Sequence, residues 1–370
     1  MARSRITFQS QALYVGSGQS GANGDADLVP TEIQKTQLVN IDSDVNREPV
    51  NEFGRLAALG YTSPHSPIGL LRTRYFLGKG ENEHALGFSV DGTKNFLNIS
   101  GIKKNFYLLT VSEKKDAVQA ANYTEAEREK HSVVALGNGM LTNYQVEAEV
   151  GAIPSTTLDY EGANILFVTG SSGIPNPAVN TSTMCLRSGV VTIPAASTGT
   201  ANTPVLRPED ITLDFGPSLL AEGGPVLPGN TAPSLQEVYI SEFNINASLD
   251  LEEEESLGGG PKKEFEVPVD IQFNCRALLT DVHSGNLINE VCSPTPRDIT
   301  INLKPPCLGC SGANTNDPSM KFIIKGAVFE GQSIVSTLDE EAMIDLRFTT
   351  QLGAQTQTDK GLIISGSYIP

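Results

Sequence analysis

Two stretches of this chain read as versions of one another, and an internal repeat constrains architecture before any single motif does. Thr156-Thr157-Leu158-Asp159-Tyr160-Glu161 shares four identities with Ser336-Thr337-Leu338-Asp339-Glu340-Glu341. Six residues alone arise by chance, so the weight falls on the order of flanking features. Each half first carries an alternating run ending in Asn. In Leu38 to Asn46, Ile41, Ser43 and Val45 share a face, and in Val238 to Asn246, Phe243, Ile245 and Ala247 do. A long loop and an apolar run follow in both halves, Gly69 to Leu77 and Val269 to Leu279. This order predicts two tandem units. The competing expectation is one β-rich fold with coincidental hairpins.

With 370 residues the chain has room for two domains that each bury a core. Hydrophobic residues make up 39% and charged residues 19%, beside 35 Gly and 22 Pro, which describes a turn-rich β protein. The expected fold is therefore mainly β, in two tandem domains. Residues 1–170 form the first, 171–208 a Gly/Ser/Thr/Pro-rich connector able to reach around a neighbouring domain, and 209–370 the second. A helical segment is expected over 112–131, where Ala, Glu, Lys and Gln dominate. Thr124 with Glu127 reads there as a capping box. The segment's narrow apolar stripe would lie outside a sheet.

No apolar run reaches the roughly 18 residues that span a bilayer. The start Met1-Ala2-Arg3-Ser4-Arg5 leads into alternating sequence without a signal-like apolar region, so neither a membrane span nor a secretory route is expected. The formal net charge of -17 disfavours tight nucleic-acid binding, because such surfaces repel phosphates. Transient passage of DNA is compatible with it. Side chains alternate along a strand, which puts Asp42, Asp44 and Asn46 on one face. Glu147 and Glu149 likewise stand opposite Val146, Ala148 and Val150. Acidic faces back apolar ones.

Chemistry-bearing motifs are few. Gly16-Ser17-Gly18-Gln19-Ser20-Gly21 matches the dinucleotide fingerprint in letters only, since no helical period follows it to hold a pyrophosphate. Of five cysteines only Cys307 and Cys310 are close, in a Pro-rich loop, with Cys292 and His283 as the nearest further ligands. Reduced loop thiols are expected, with no metal and no cofactor. His65, His84, His131 and His283 stand in unrelated contexts and no nucleophile elbow is present, so no enzyme is expected.

Asn46-Arg47-Glu48-Pro49-Val50-Asn51-Glu52-Phe53-Gly54, at a strand end, resembles the strand-to-loop region of tail tube proteins of long-tailed bacteriophages. Val146-Glu147-Ala148-Glu149-Val150-Gly151-Ala152-Ile153-Pro154 is similar to another strand and turn of that family. The resemblance implies β-sandwich or barrel tube domains with a flanking helix, six to a ring, rings stacking into a tube. It implies that the long loop after the alternating strand reaches the adjacent ring. Two copies per chain then imply homotrimeric rings with pseudo-six-fold symmetry. Other tail proteins would meet the tube ends, DNA would pass without specific binding, and the protein would be assembled in the host cytoplasm into the virion tail.

By that resemblance Asp42, Asp44, Asn46, Glu147, Glu149, Glu242, Asn244 and Asn246 line the lumen, forming few ion pairs. Pro49, Val50, Asn51 and Phe53, with Glu252, Glu253, Glu254 and Glu255 in the second half, are the expected inter-ring contacts. The second half lacks the Pro-Val-Asn-x-Phe-Gly run, so the two loops need not make the same contacts. A β-sandwich virion adhesin or capsid decoration protein is the alternative, which the absence of Trp mildly disfavours.

Overall fold

The computed structural model describes residues 10–17, 29–45, 47–62, 68–97, 103–113, 115–117, 123–180, 185–194, 211–214, 240–254, 262–278, 296–303, 320–336, 342–354 and 356–366. In chain order the long strands of the first half are β1 (Gln11–Ser17), β2 (Thr36–Asp44), β3 (Ile68–Phe76), β4 (Asp91–Asn95), β5 (Lys104–Thr110), β6 (Ser132–Glu149), β7 (Ser155–Gly162) and β8 (Asn164–Thr169). The second half contributes β9 (Ile211–Asp214), β10 (Ile240–Ser248), β11 (Val269–Leu278), β12 (Arg297–Leu303), β13 (Met320–Val335), β14 (Met343–Leu352) and β15 (Gly361–Gly366). Two short helices, α1 (Glu81–Ala85) and α2 (Glu125–Arg128), lie among them. The fold is mainly β.

Eight strands form a central antiparallel sheet in the order β2-β3-β7-β6-β10-β11-β14-β13. The sequence alternation sets its two faces. Phe243, Ile245 and Ala247 on β10, and Ile271, Phe273 and Cys275 on β11, point into the core. Their neighbours face out. Phe348 meets Phe273 and Phe329 with ring centroids 6.1 and 5.6 Å apart, and each such buried side chain contributes about 2 kcal/mol of transfer free energy. The central sheet does not close into a barrel: its path stops at β2 on one side.

β6 and β13 are 18 and 16 residues long and each serves two sheets. Their N-terminal parts leave the central sheet; β6 pairs there with β5 and β8, and β13 with β12 and β15. β1 lies beyond β5, and β9 beyond β12. Both strands bend at a left-handed residue, Asn138 (φ 57) and Gly326 (φ 61), a conformation that Gly and Asn adopt most readily. The pairing order of seven strands in the first half, β1, β2, β3, β5, β6, β7 and β8, thus recurs in β9 to β15. Even the irregularities recur. Register shifts fall between Thr36 and Leu38 and between Ile240 and Glu242 at the starts of β2 and β10. One apolar layer, from Leu13 to Ile364, runs under both halves.

Several expectations need correction. Thr156–Glu161 lies inside β7, whose counterpart in pairing is β14, whereas Ser336 follows β13 and Thr337–Glu341 lie outside the described residues. The hexapeptide match is coincidental. Among the described residues of 112–131 the α-helix contracts to Glu125–Arg128, with the capping box of Thr124 and Glu127 in place. Without an apolar stripe to dock, helical composition alone does not hold a long helix. The loop 48–68 is not loop throughout, since Glu48–Val50 pairs with Gly60–Thr62 as a hairpin. The connector also differs from the far-reaching one expected. Residues up to 194 fold back on the first half, where Ile174, Val191 and Ile193 cover Tyr14, Leu109 and Ala135. Buried Asn105 and Asn138 fasten it by hydrogen bonds to Asn176 and the Val179 backbone.

α1 and β4 were not expected. α1 buries Glu83, whose carboxylate accepts a hydrogen bond from the Tyr75 hydroxyl at 2.9 Å, and burial pushes its pKa up to about 7. β4 leaves the first half altogether and adds to β15 of the second, with Asn95 opposite Ile363.

Candidate functional site

The open face of the central sheet gathers polar residues of both halves of the chain into one array. Asp42 and Asp44 on β2 are exposed there, as are Glu147 and Glu149 on β6 and Glu242 on β10; Asn244 and Asn246 are half-buried. The seam between β6 and β10 sets Asn244 opposite Glu147 and Glu242 opposite Glu149. Seven of the eight residues expected in a lumen therefore share one face. Asn46 lies outside the described residues.

The array is not purely acidic. Arg72 and Arg74 on β3, Arg276 on β11 and Arg347 on β14 stand on the same face, and sequence reasoning passed over them. Arg276 lies 2.7 Å from Asp345 and 3.2 Å from Glu242, and Arg72 lies 3.6 Å from Asp159. These pairs lie within the sheet itself. The hydrogen bond and charge of Asp345, then Glu242 and Glu149, raise the pKa of Arg276. Acids still exceed arginines: Asp42, Asp44, Glu147, Glu149, Asp159, Glu242, Asp270 and Asp345 surround the four cations. Parity along β3 and β11 would have found the arginines, since Arg72 and Arg74 alternate with buried Leu71, Thr73 and Tyr75.

Among the described residues both ends of this sheet carry an unpaired edge. Among the described residues no strand pairs with the outer side of β2 or of residues 329–335 of β13. Leu38 on the first edge, and Ile334 and Val335 on the second, are 44%, 54% and 46% exposed. Unpaired edges with apolar side chains are templates for association.

The hairpin after β2 projects away from the core. Its tip exposes Phe53 and Leu56 completely, its strands expose Tyr61 largely, and Val50 and Leu59 are about half exposed; Pro49 and Asn51 are exposed beside them. After β10 a second hairpin pairs Leu251–Glu254 with Lys262–Phe265. It is charged where the first is apolar. Lys263 reaches Glu161 of β7 and lies 3.9 Å from Glu253, while Glu252 is exposed and Glu255 lies outside the described residues.

No family model matches this chain, and no curated protein matches it. Among solved structures it is similar to a protein of the anti-feeding prophage baseplate, seen by cryo-electron microscopy with six-fold symmetrisation. That match has 10% identity over 43% of this chain and 93% of the other, with a TM-score of 0.26. A protein of the anti-feeding prophage tube-terminating cap gives 11% identity over 46% and 99%, with a TM-score of 0.26. A type VI secretion system effector from Yersinia pestis gives 9% over 43% and 100%, with a TM-score of 0.19. At these scores the likenesses decide neither fold nor function.

Among the described residues no group of three or more His, Cys, Asp and Glu is arranged to hold a metal ion. Cys292, Cys307, Cys310, His65 and His283 lie outside them. His131 is buried against Ser171, its Nδ1 3.0 Å from the hydroxyl, and burial, then the nearby charges of Lys115 and Arg128, lowers its pKa. That is a structural setting. No helix among the described residues is long and apolar enough to cross a membrane.

Proposed function

We propose that this chain is a structural virion protein that polymerises as stacked rings into the tail tube of a long-tailed bacteriophage, the channel for genome passage. The observation that carries the reading is the seam. Within one chain the edge of β6 pairs with the edge of β10, setting Val146 against Ile245. Residue for residue, β13 stands to the second half as β6 stands to the first, and β2 as β10. Repeating the seam between chains sets Ile334 of one copy opposite Ile41 of the next and buries the apolar edge residues.

Three chains repeating this contact close a ring of six similar units, as heterologous contacts do when their rotation closes. The open face becomes its wall. Asp42, Asp44, Asn46, Glu147, Glu149, Glu242, Asn244 and Asn246 then line the bore. An excess of acid there repels phosphates, and Arg72 and Arg276, already held by carboxylates, add little free positive charge, so DNA slides without sticking. The apolar hairpin with Val50 and Phe53, and the charged one with Glu252 to Glu255, meet the adjacent rings. Other tail proteins cap the ends, and no catalytic step is assigned.

Negative-stain microscopy of the purified full chain tests this. Rings or tubes with a central channel and three chains per ring are expected. Isolated bilobed particles at every concentration would overturn the reading and favour an adhesin or decoration protein.

A further inference from the structure

The hairpin that follows β10 crosses the seam. In the sheet β6 separates β10 from β7, yet Lys263 of that hairpin pairs with Glu161 of β7, and Glu253 stands 3.9 Å from the same ammonium. The hairpin that follows β2 is built in the same register. Glu48 stands opposite Thr62 and Glu252 opposite Glu264, each pair beginning four residues after its strand ends, at Asp44 or Ser248. One step further along, Pro49 faces Tyr61 as Glu253 faces Lys263. The counterpart of Glu161 follows from its neighbours. Glu161 lies between Met140 of β6 and Leu70 of β3, and Thr349 lies between Val328 of β13 and Gln272 of β11. Met140 and Val328 each stand two residues after the left-handed residue of their strand. Leu70 is opposite Asp42, and Gln272 is opposite Asn246. Thr349 therefore holds in the second half the place that Glu161 holds in the first.

The three positions change together. Lys263, Glu161 and Glu253 are all charged, and Tyr61, Thr349 and Pro49 are all uncharged. Lys263 and Glu161 are largely covered, whereas Tyr61 is 71% exposed and Thr349 is half-buried. β10 has β6 beside it, and among the described residues no strand pairs with the outer side of β2. We propose that Tyr61 docks on Thr349 of a second copy of this chain, so that the first hairpin crosses the seam between chains as the second crosses the seam within one. The chemistry of the two positions matches. A lysine at 61 would meet no carboxylate at 349, while a tyrosine brings an apolar ring for the threonine methyl and one polar tip. The Thr349 hydroxyl donates to the Ile271 carbonyl at 3.4 Å and, having lone pairs of its own, accepts the Tyr61 O–H. The tip of the hairpin, with Phe53 and Leu56, lies beyond this contact. The inference rests on the proposed ring and adds to it a side-by-side contact within the ring.

Carbodiimide coupling, which joins a carboxyl and an amine in contact as an amide and takes up the water released, tests this on the full chain carrying Tyr61→Lys and Thr349→Glu. Those changes copy the internal pair into the proposed contact, and the link between Glu161 and Lys263 within one chain is the built-in control. In rings mixed from isotopically light and heavy copies, a link between positions 61 and 349 of different copies is expected, and it should be lost on dilution while the control link stays. Rings that carry the control link without the 61–349 link would overturn this inference and leave the ring standing. Loss of the control link would remove the contact from which the inference is drawn. Chains that form no ring at any concentration, altered or not, would overturn the ring and this contact together. If the double variant alone fails to fold or assemble, Tyr61→Asp decides, since the position is exposed and monomer unfolding in urea should not change. That variant should raise the concentration needed for rings about tenfold, a loss of about 1.4 kcal/mol, and an unchanged concentration would overturn the contact.

Discussion

Glu242 on β10 and Glu149 on β6 stand directly opposite one another across the seam that joins the two halves of the chain. Like charges in such a pair destabilise a sheet. Arg276, opposite Glu242 on its other side, donates to Glu242 at 3.2 Å and to Asp345 at 2.7 Å. One cation thus balances carboxylates on three strands.

Replacing that cation leaves the acids facing each other. Arg276→Ala is expected to destabilise the chain by about 1 kcal/mol at low salt, the range of exposed charge pairs, and by less at high salt because screening weakens the repulsion. Urea unfolding at two ionic strengths measures it. A deficit independent of salt would show that Arg276 acts through packing instead.

Glu83 supplies a pH dependence of definite sign. Its ordinary pKa of 4.5 is pushed up to about 7 by burial, with Tyr75 and Lys35 opposing and Glu81 adding to the rise. Between those values the folded chain holds a proton that the unfolded chain has released. Stability from this group therefore falls as pH rises from about 4.5 to about 7 and is level above it, by up to about 3 kcal/mol. Glu83→Gln keeps an acceptor for Tyr75 and should flatten that share of the slope between pH 5 and 8. Glu32, also pushed up to about 7 by burial and Asp116, leaves a residual slope of the same sign.

How much of this was legible follows from what alternation can and cannot carry. Phe243, Ile245 and Ala247 were readable as a buried face because side-chain direction is local. The outward placing of Arg72 and Arg74 was readable by the same parity, whereas the pairing of Arg276 with Glu242 and Asp345 depends on register, which no single strand encodes. Asp91–Asn95 lacks any apolar alternation, and its strand exists only because β15 offers an open edge. Among the described residues of 112–131 the α-helix is Glu125–Arg128, and none of its residues is buried, so local preference there had no packing to extend it. The hexapeptide match misled because identity of letters was taken where equivalence of pairing mattered.

The apolar hairpin should matter to assembly and not to folding. Phe53 and Leu56 are fully exposed, so Phe53→Ser with Leu56→Ser removes no packing from the core. Monomer stability is expected to change by less than about 0.5 kcal/mol. Ring stacking should fail. Electron microscopy checks this, with single rings expected where the unaltered chain forms long tubes, and long tubes from the variant would remove the hairpin from the inter-ring contact.

The seam repeated between chains sets Ser333 opposite Asp42, as Gln145 stands opposite Asn246 within one chain. Directly paired residues have Cα atoms about 4.5–5.5 Å apart, within reach of a disulfide. Oxidation of the chain carrying Asp42→Cys and Ser333→Cys, with each single variant as control, is the most direct measurement. The account predicts covalent dimers and trimers on non-reducing gels and nothing larger, the trimer becoming the end product. A link confined to one chain, a ladder that continues past three, or no link beyond the controls would contradict it.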